Sequence, residues 1–174
     1  MGPSAADQGD EPVEWVDEHD RVIGIVSRSR MRRENLRHRS AAVVVRSGDG
    51  RLLVHRRAAT KDLRPGWWDV CAGGVVGVGE SFIDAATREL AEELGVTGVD
   101  LEPLGVGRFD DVDSREISHL FLVTTDGPFE FADGEVAEAR LVTRDELTVL
   151  MDRESFLPSC NAMILPLVAG FEPD

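Results

Sequence analysis

The chain has 174 residues, 42% hydrophobic and 30% charged, which suits one folded domain and excludes a wholly disordered chain. Its net charge of −14 repels a phosphodiester backbone, so duplex nucleic acid is not an expected partner. Two cysteines, Cys71 and Cys160, cannot build a disulfide framework, and no apolar stretch approaches the ~20 residues of a membrane span.

Residues 1–12 read as a disordered tail, without the basic and apolar regions of a secretory signal, so a cytoplasmic protein is expected. Residues 13–174 read as a single domain, whose first part, about 13–38, forms a β-hairpin and helix extension. In that extension, strands at 14–17 and 22–26 flank a turn, and a helix follows over 27–36. The β-rich runs 40–46 and 51–56 flank Ser47-Gly48-Asp49-Gly50, the residues of a tight hairpin. A strand over 70–76 leads into the strongest helix pattern, 81–94. Further strands fall near 104–109, 117–124 and 140–142, with helices near 145–153 and 160–168. Strands and helices interleave without βαβ regularity, which predicts an α+β fold with a mixed sheet sandwiched between helices. The apolar run 162–168 reads as a core helix; an exposed stripe there would support a homodimer.

Charge is uneven along the chain. Residues 21–64 carry 13 Lys and Arg against three acids, a local +10 inside an acidic protein. Such a segment suits a small anionic substrate. In the helix 81–94, Ser81 is the expected N-cap and Gly95 the left-handed terminator. Ile83, Ala86, Leu90 and Leu94 recur at helical spacing and predict a buried stripe. Glu89, Glu92 and Glu93 stand at i, i+3, i+4, where each like-charged pair costs the helix roughly 0.2–0.5 kcal/mol. With no lysine interspersed, a hard divalent cation would turn that repulsion into ligation, and all-oxygen ligands point to magnesium, or manganese in its place.

Residues 74–96 form a longer unit: Gly74, five residues, Glu80, seven residues, then Arg88-Glu89-Leu90-Ala91-Glu92-Glu93-Leu94-Gly95-Val96. This unit resembles the Nudix box at every defined position. At roughly one chance in ten per specified residue, a coincidental match at a given start is on the order of one in ten million. The resemblance implies the Nudix fold and a metal-activated water attacking one phosphorus of a nucleoside diphosphate derivative. It implies that Glu89, Glu92, Glu93 and the Gly73 carbonyl bind the metal. Arg88 would orient a carboxylate, and Glu80 would act through water at the mouth of the helix. Glu93 is the first candidate for the general base, with Glu116 and Glu135 as alternatives outside the box.

The stretch 56–69 is similar to the equivalent stretch of isopentenyl diphosphate isomerases, which share the fold. That resemblance implies Arg57 and Lys61 as a grip on a diphosphate, with Arg56 and Trp68 beside them in a substrate-binding loop. The isomerase cysteine and histidine positions fall on Gly73 and Val75, and Cys71 lies roughly 7 Å away along the strand. Glu116 resembles the isomerase glutamate, but half a proton-transfer pair is insufficient. A hydrolase is therefore expected, with isomerase chemistry as the alternative and a non-catalytic nucleotide-binding module as a third reading.

Overall fold

The computed structural model describes residues 11–168. The expected N-terminal tail lies, up to residue 10, outside the described residues, and Pro12 already belongs to the first strand. The elements in order are β1 (Pro12–Val16), β2 (Val22–Ser27), α1 (Arg28–Arg33), β3 (His38–Arg46), β4 (Leu52–Arg57), β5 (Trp68–Asp69), β6 (Cys71–Val75), α2 (Phe82–Leu94), β7 (Glu102–Asp110), β8 (Arg115–Thr124), β9 (Val136–Val142) and α3 (Arg144–Arg153). A π-helical turn (Cys160–Ile164) then runs into α4 (Leu165–Val168).

The valine-rich strand β3 is the hub. It pairs antiparallel with β6 on one side and parallel with β8 on the other, while β8 also pairs with β7. Its hairpin partner β4 diverges after Arg46↔Leu52 and pairs instead with β5 and β9. The mixed sheet expected from the sequence is thus present.

Strand alternation divides the core. Ala42 and Val44 face one apolar cluster with Val54, Trp68, Leu120 and the π-helical turn; Ala41, Val43 and Val45 face the other, under α2. α2 begins at Ser81, whose Oγ accepts from the Asp84 N–H at 3.2 Å, and ends at Gly95 with φ 69°. Its buried face is Ala85, Ala86, Leu90, Glu93 and Leu94. Ile83 does not join it and is 47% exposed, while Ala85 takes the inward position. The apolar run near the C-terminus is core material: Met163, Ile164 and Val168 are buried against the sheet.

Candidate active site

α2 lies across β6, and that contact brings the acidic side chains to the glycines. Glu93 is buried, and its Oε2 accepts from the Gly73 N–H at 3.1 Å. One turn earlier, the Glu89 carboxylate lies against Gly74, where a Cβ would meet its Cδ at 2.5 Å. Gly74 is therefore a cradle that any side chain would fill. The Gly73 N–H leaves β6 on the edge away from β3, and a strand residue's N–H and C=O leave on the same side. The Gly73 carbonyl therefore faces the same edge. Val75 behaves alike, its carbonyl accepting from Arg88 Nη2 at 3.2 Å.

Lys61, carried by the β4–β5 loop, donates to Glu93 Oε1 at 3.4 Å and also contacts Glu135. Arg88 binds Glu80 through Nε at 2.9 Å and through Nη2 at 3.0 Å. Its Nη1 donates to Glu89 at 2.7 Å and to Glu92 at 3.2 Å. Arg88 thus contacts three of the carboxylates in the box. Burial, opposed by Lys61 and reinforced by the charges of Glu89 and Glu135, pushes the Glu93 carboxyl up to about 8. Burial also raises Glu89, with Arg88 opposing.

Glu89, Glu92 and Glu93 make separate contacts in this structure, Glu93 with Lys61 and the other two with Arg88. Among the described residues, no three His, Cys, Asp or Glu side chains are arranged to hold a metal ion. Mutual repulsion is relieved instead by the nearest cations: Glu93 turns to Lys61, while Glu89 and the half-exposed Glu92 turn to Arg88. The donor set still fits a hard cation. Two desolvated carboxylates one helical turn apart stand beside an outward-facing carbonyl edge, the all-oxygen donors that a hard cation takes.

Beside this acidic end opens a cleft of about 530 Å³. Gly73, Gly74, Lys61 and Glu135 are among its lining residues, together with Arg57, Arg28, Arg32 and Glu116. The basic segment of the sequence therefore supplies the cations of the cleft.

Three expected site residues fall elsewhere. Arg56 does not line the cleft; it pairs with Glu138 at 3.2 Å, since neighbouring strand residues point to opposite faces and Arg57 takes the cleft side. Trp68 is 1% exposed and packs in the core beside Phe156 at 6.3 Å between centroids, so its ring is unavailable to substrate. Glu80 is committed to Arg88 and to the Gly77 N–H at 2.8 Å, closing the turn before α2 rather than standing free at its mouth. Conversely, Arg32 and His38 were not singled out from the sequence. The available signal was the arginine density of 28–39, which marks a cationic face without saying which members turn inward.

A model of the NUDIX domain matches residues 36–160. The chain belongs to the Nudix family. Relatives bear this out: the Escherichia coli protein named Uncharacterized Nudix hydrolase YfcD is 42% identical over 142 residues, covering 80% of this chain and 79% of that protein. An uncharacterized Nudix hydrolase of Yersinia pestis is 39% identical over 166 residues, covering 93% and 90%. Among solved structures, DR0079 from Deinococcus radiodurans superposes with a TM-score of 0.76 at 25% identity, covering 92% of this chain and 99% of that one. This Nudix chain is a hydrolase by family. None of its helices, among the described residues, is long and apolar enough to cross a membrane.

Proposed function

We propose that this Nudix chain hydrolyses a diphosphate linkage in a nucleoside diphosphate derivative, with magnesium, or manganese in its place, held by Glu89, Glu92, Glu93 and the Gly73 carbonyl. The observation that carries the reading is the buried Glu93 carboxyl, held between Lys61 and the Gly73 N–H, both of which line a cation-rich cleft. A bound divalent ion would lower the pKa of a coordinated water and neutralise charge on the phosphoryl oxygens.

The chain's own residues do the rest. Arg57 and Lys61 grip the diphosphate oxygens, Arg57 being positioned by two bonds to the Leu63 carbonyl at 3.2 and 3.0 Å. Arg88 holds Glu89 and Glu92 in place. Glu93 is the group assigned to accept the proton of the attacking water; burial raises its carboxyl to about 8, so it serves as a base only once deprotonated, above that value or with a cation beside it. Glu135 shares Lys61 with Glu93 and is the next candidate; Glu116 lies toward the opposite end of β3, paired with His38.

The likeness to isopentenyl diphosphate isomerases is read here as a shared diphosphate grip. Cys71 pairs with Val44 of β3 and Glu116 with His38, six positions apart, or about 20 Å along the strand. The Cys71 thiol donates to Asp69 at 3.3 Å, and burial pushes its pKa well up, so neither its position nor its protonation suits a proton shuttle.

The test is a panel of nucleoside diphosphate compounds with magnesium and with manganese in H₂¹⁸O. Label in a phosphate product is expected, together with a loss of about 10²-fold or more in rate for Glu93→Gln. Absence of turnover across the panel with both metals overturns the reading. Deuterium uptake into isopentenyl diphosphate would replace it with isomerase chemistry.

A further inference from the structure

The arginines of the cleft are not equally satisfied. Arg64 binds Asp111 at 3.2 Å and Asp113 at 2.6 Å. Outside the cleft, Arg39 binds Glu14 at 2.6 Å and Asp20 at 2.7 Å. Arg32 differs. Its Nε is fully buried and, among the described residues, has no hydrogen-bond partner. Its ion-pair acid, Asp62, is 3.7 Å away and 60% exposed, a geometry that contributes little. Its neighbour on α1, Arg28, contacts Glu11 at a long 3.4 Å. Burial works against the charge of Arg32; Asp62 and Glu116 offset this in part, and Arg28 and Arg57 add to it.

Two other groups border this end. Glu116 accepts from Ser40 at 2.7 Å; burial raises its carboxyl, against the pull of Ser40 and Arg32. His38 is buried, and desolvation with the repulsion of Arg32 holds it neutral, with a pKa of about 3. A buried N–H of this kind keeps its desolvation penalty until an acceptor arrives.

We propose that Arg28 and Arg32 form a second anion subsite in the cleft, and that the substrate is a diphosphate compound carrying an additional phosphomonoester. The assignment rests on the preceding reading that the carboxylate end of the cleft is the reactive one. A phosphomonoester suits the subsite better than a carboxylate: it brings a charge of about −1.5 to −2 and three acceptor oxygens to two guanidinium forks. Along β3, Gly73 pairs with Ala42, while His38, beside Arg32, lies four residues away. At ~3.3 Å per residue the backbone positions that flank the two subsites are thus about 13 Å apart along β3.

Two measurements test this. First, thermal unfolding of the metal-free protein is followed against inorganic phosphate, with chloride at matched ionic strength and malonate as the carboxylate probe. A saturable rise in Tm with phosphate, weaker with malonate, is expected for the wild type and for Lys61→Gln. The phosphate affinity should fall about tenfold or more in Arg32→Gln, corresponding to ~1.4 kcal/mol. Arg28→Gln should weaken it in the same direction, and carries the comparison if Arg32→Gln does not fold. Protection that survives both arginine substitutions, or is lost only in Lys61→Gln, overturns the proposal, as does equal protection by malonate for the phosphomonoester assignment.

Second, kcat/KM is compared for NADP⁺ against NAD⁺ and for coenzyme A against its 3′-dephospho form. A preference of about tenfold for a phosphorylated member, carried by KM and reduced toward one in Arg32→Gln, is expected. Hydrolysis with no such preference in either pair overturns the subsite and leaves the hydrolase reading standing. Phosphate binding through Arg32 with no hydrolysis of any diphosphate does the reverse.

Discussion

Replacing Gly74 with alanine separates catalytic geometry from stability. The added Cβ meets Glu89 at 2.5 Å from Cδ and 2.7 Å from Oε2. Ordinary contact is about 3.5–4.0 Å, so the carboxylate must retreat by about 1 Å. The clash is with the far end of a flexible side chain, and alanine is favoured over glycine in a strand by roughly 0.5–1 kcal/mol. Stability should therefore change by less than about 1 kcal/mol. A misplacement of about 1 Å in a ligand carboxylate, however, can cost on the order of 10²-fold in rate. Gly73→Ala makes the opposite trade, because its Cβ strikes the Ala41 carbonyl and stands 3.0 Å from Ala42 Cα, both backbone. Backbone displacement of that kind costs about 1–3 kcal/mol. Urea unfolding and magnesium-dependent hydrolysis measured on both variants decide the matter. Wild-type rates in Gly74→Ala would refute the role given to Glu89. Equal destabilisation of the two variants would refute the distinction between side-chain and backbone contacts.

Three further outcomes are expected. With the folded Glu93 carboxyl raised to about 8, the native state of the metal-free protein holds a proton that the unfolded chain releases near 4.5. This contribution is full below the lower value and is lost as pH rises toward 8, by about 1.4 kcal/mol per unit; Glu93→Gln should flatten that slope in urea unfolding. His38 and His55 have the opposite sign: burial lowers their folded pKa values to about 3 and about 4, from 6.5. Their contributions are present above 6.5 and lost on acidification, so His55→Gln should reduce the acid-side slope. Trp68→Ala should cost about 3–5 kcal/mol as a core truncation, whereas Trp68→Phe should cost less because it also removes the partnerless buried indole N–H. Hydrolysis by Trp68→Phe with an unchanged KM would agree with its place in the core.

Much of the local structure was legible in the residues. The hairpin at 47–50, the Ser81 cap, the Gly95 stop and the element order depend on interactions within a few residues, and short-range patterning records those directly. The box motif carried the family for the same reason: one helix and the turn before it hold all its defined positions. The directions of the acidic side chains were not legible. Lys61 reaches Glu93 across 32 positions, and nothing in the spacing of 89, 92 and 93 announces that competitor. Arg56 was separable from Arg57 in principle, by strand alternation, whereas the burial of Trp68 depends on β5 pairing with β4 and on Phe156 closing over it.

What the linear chain determined alone is therefore the family and the local geometry of its acidic helix, because helical periodicity and caps act over one or two turns. Which glutamates sink toward β6, which arginines of 28–64 turn inward, and how far apart the ends of the cleft stand were decided by sheet register. The parallel pairing of β3 with β8 joins residues 78 positions apart, and the energy of burial, not any local preference, selects it.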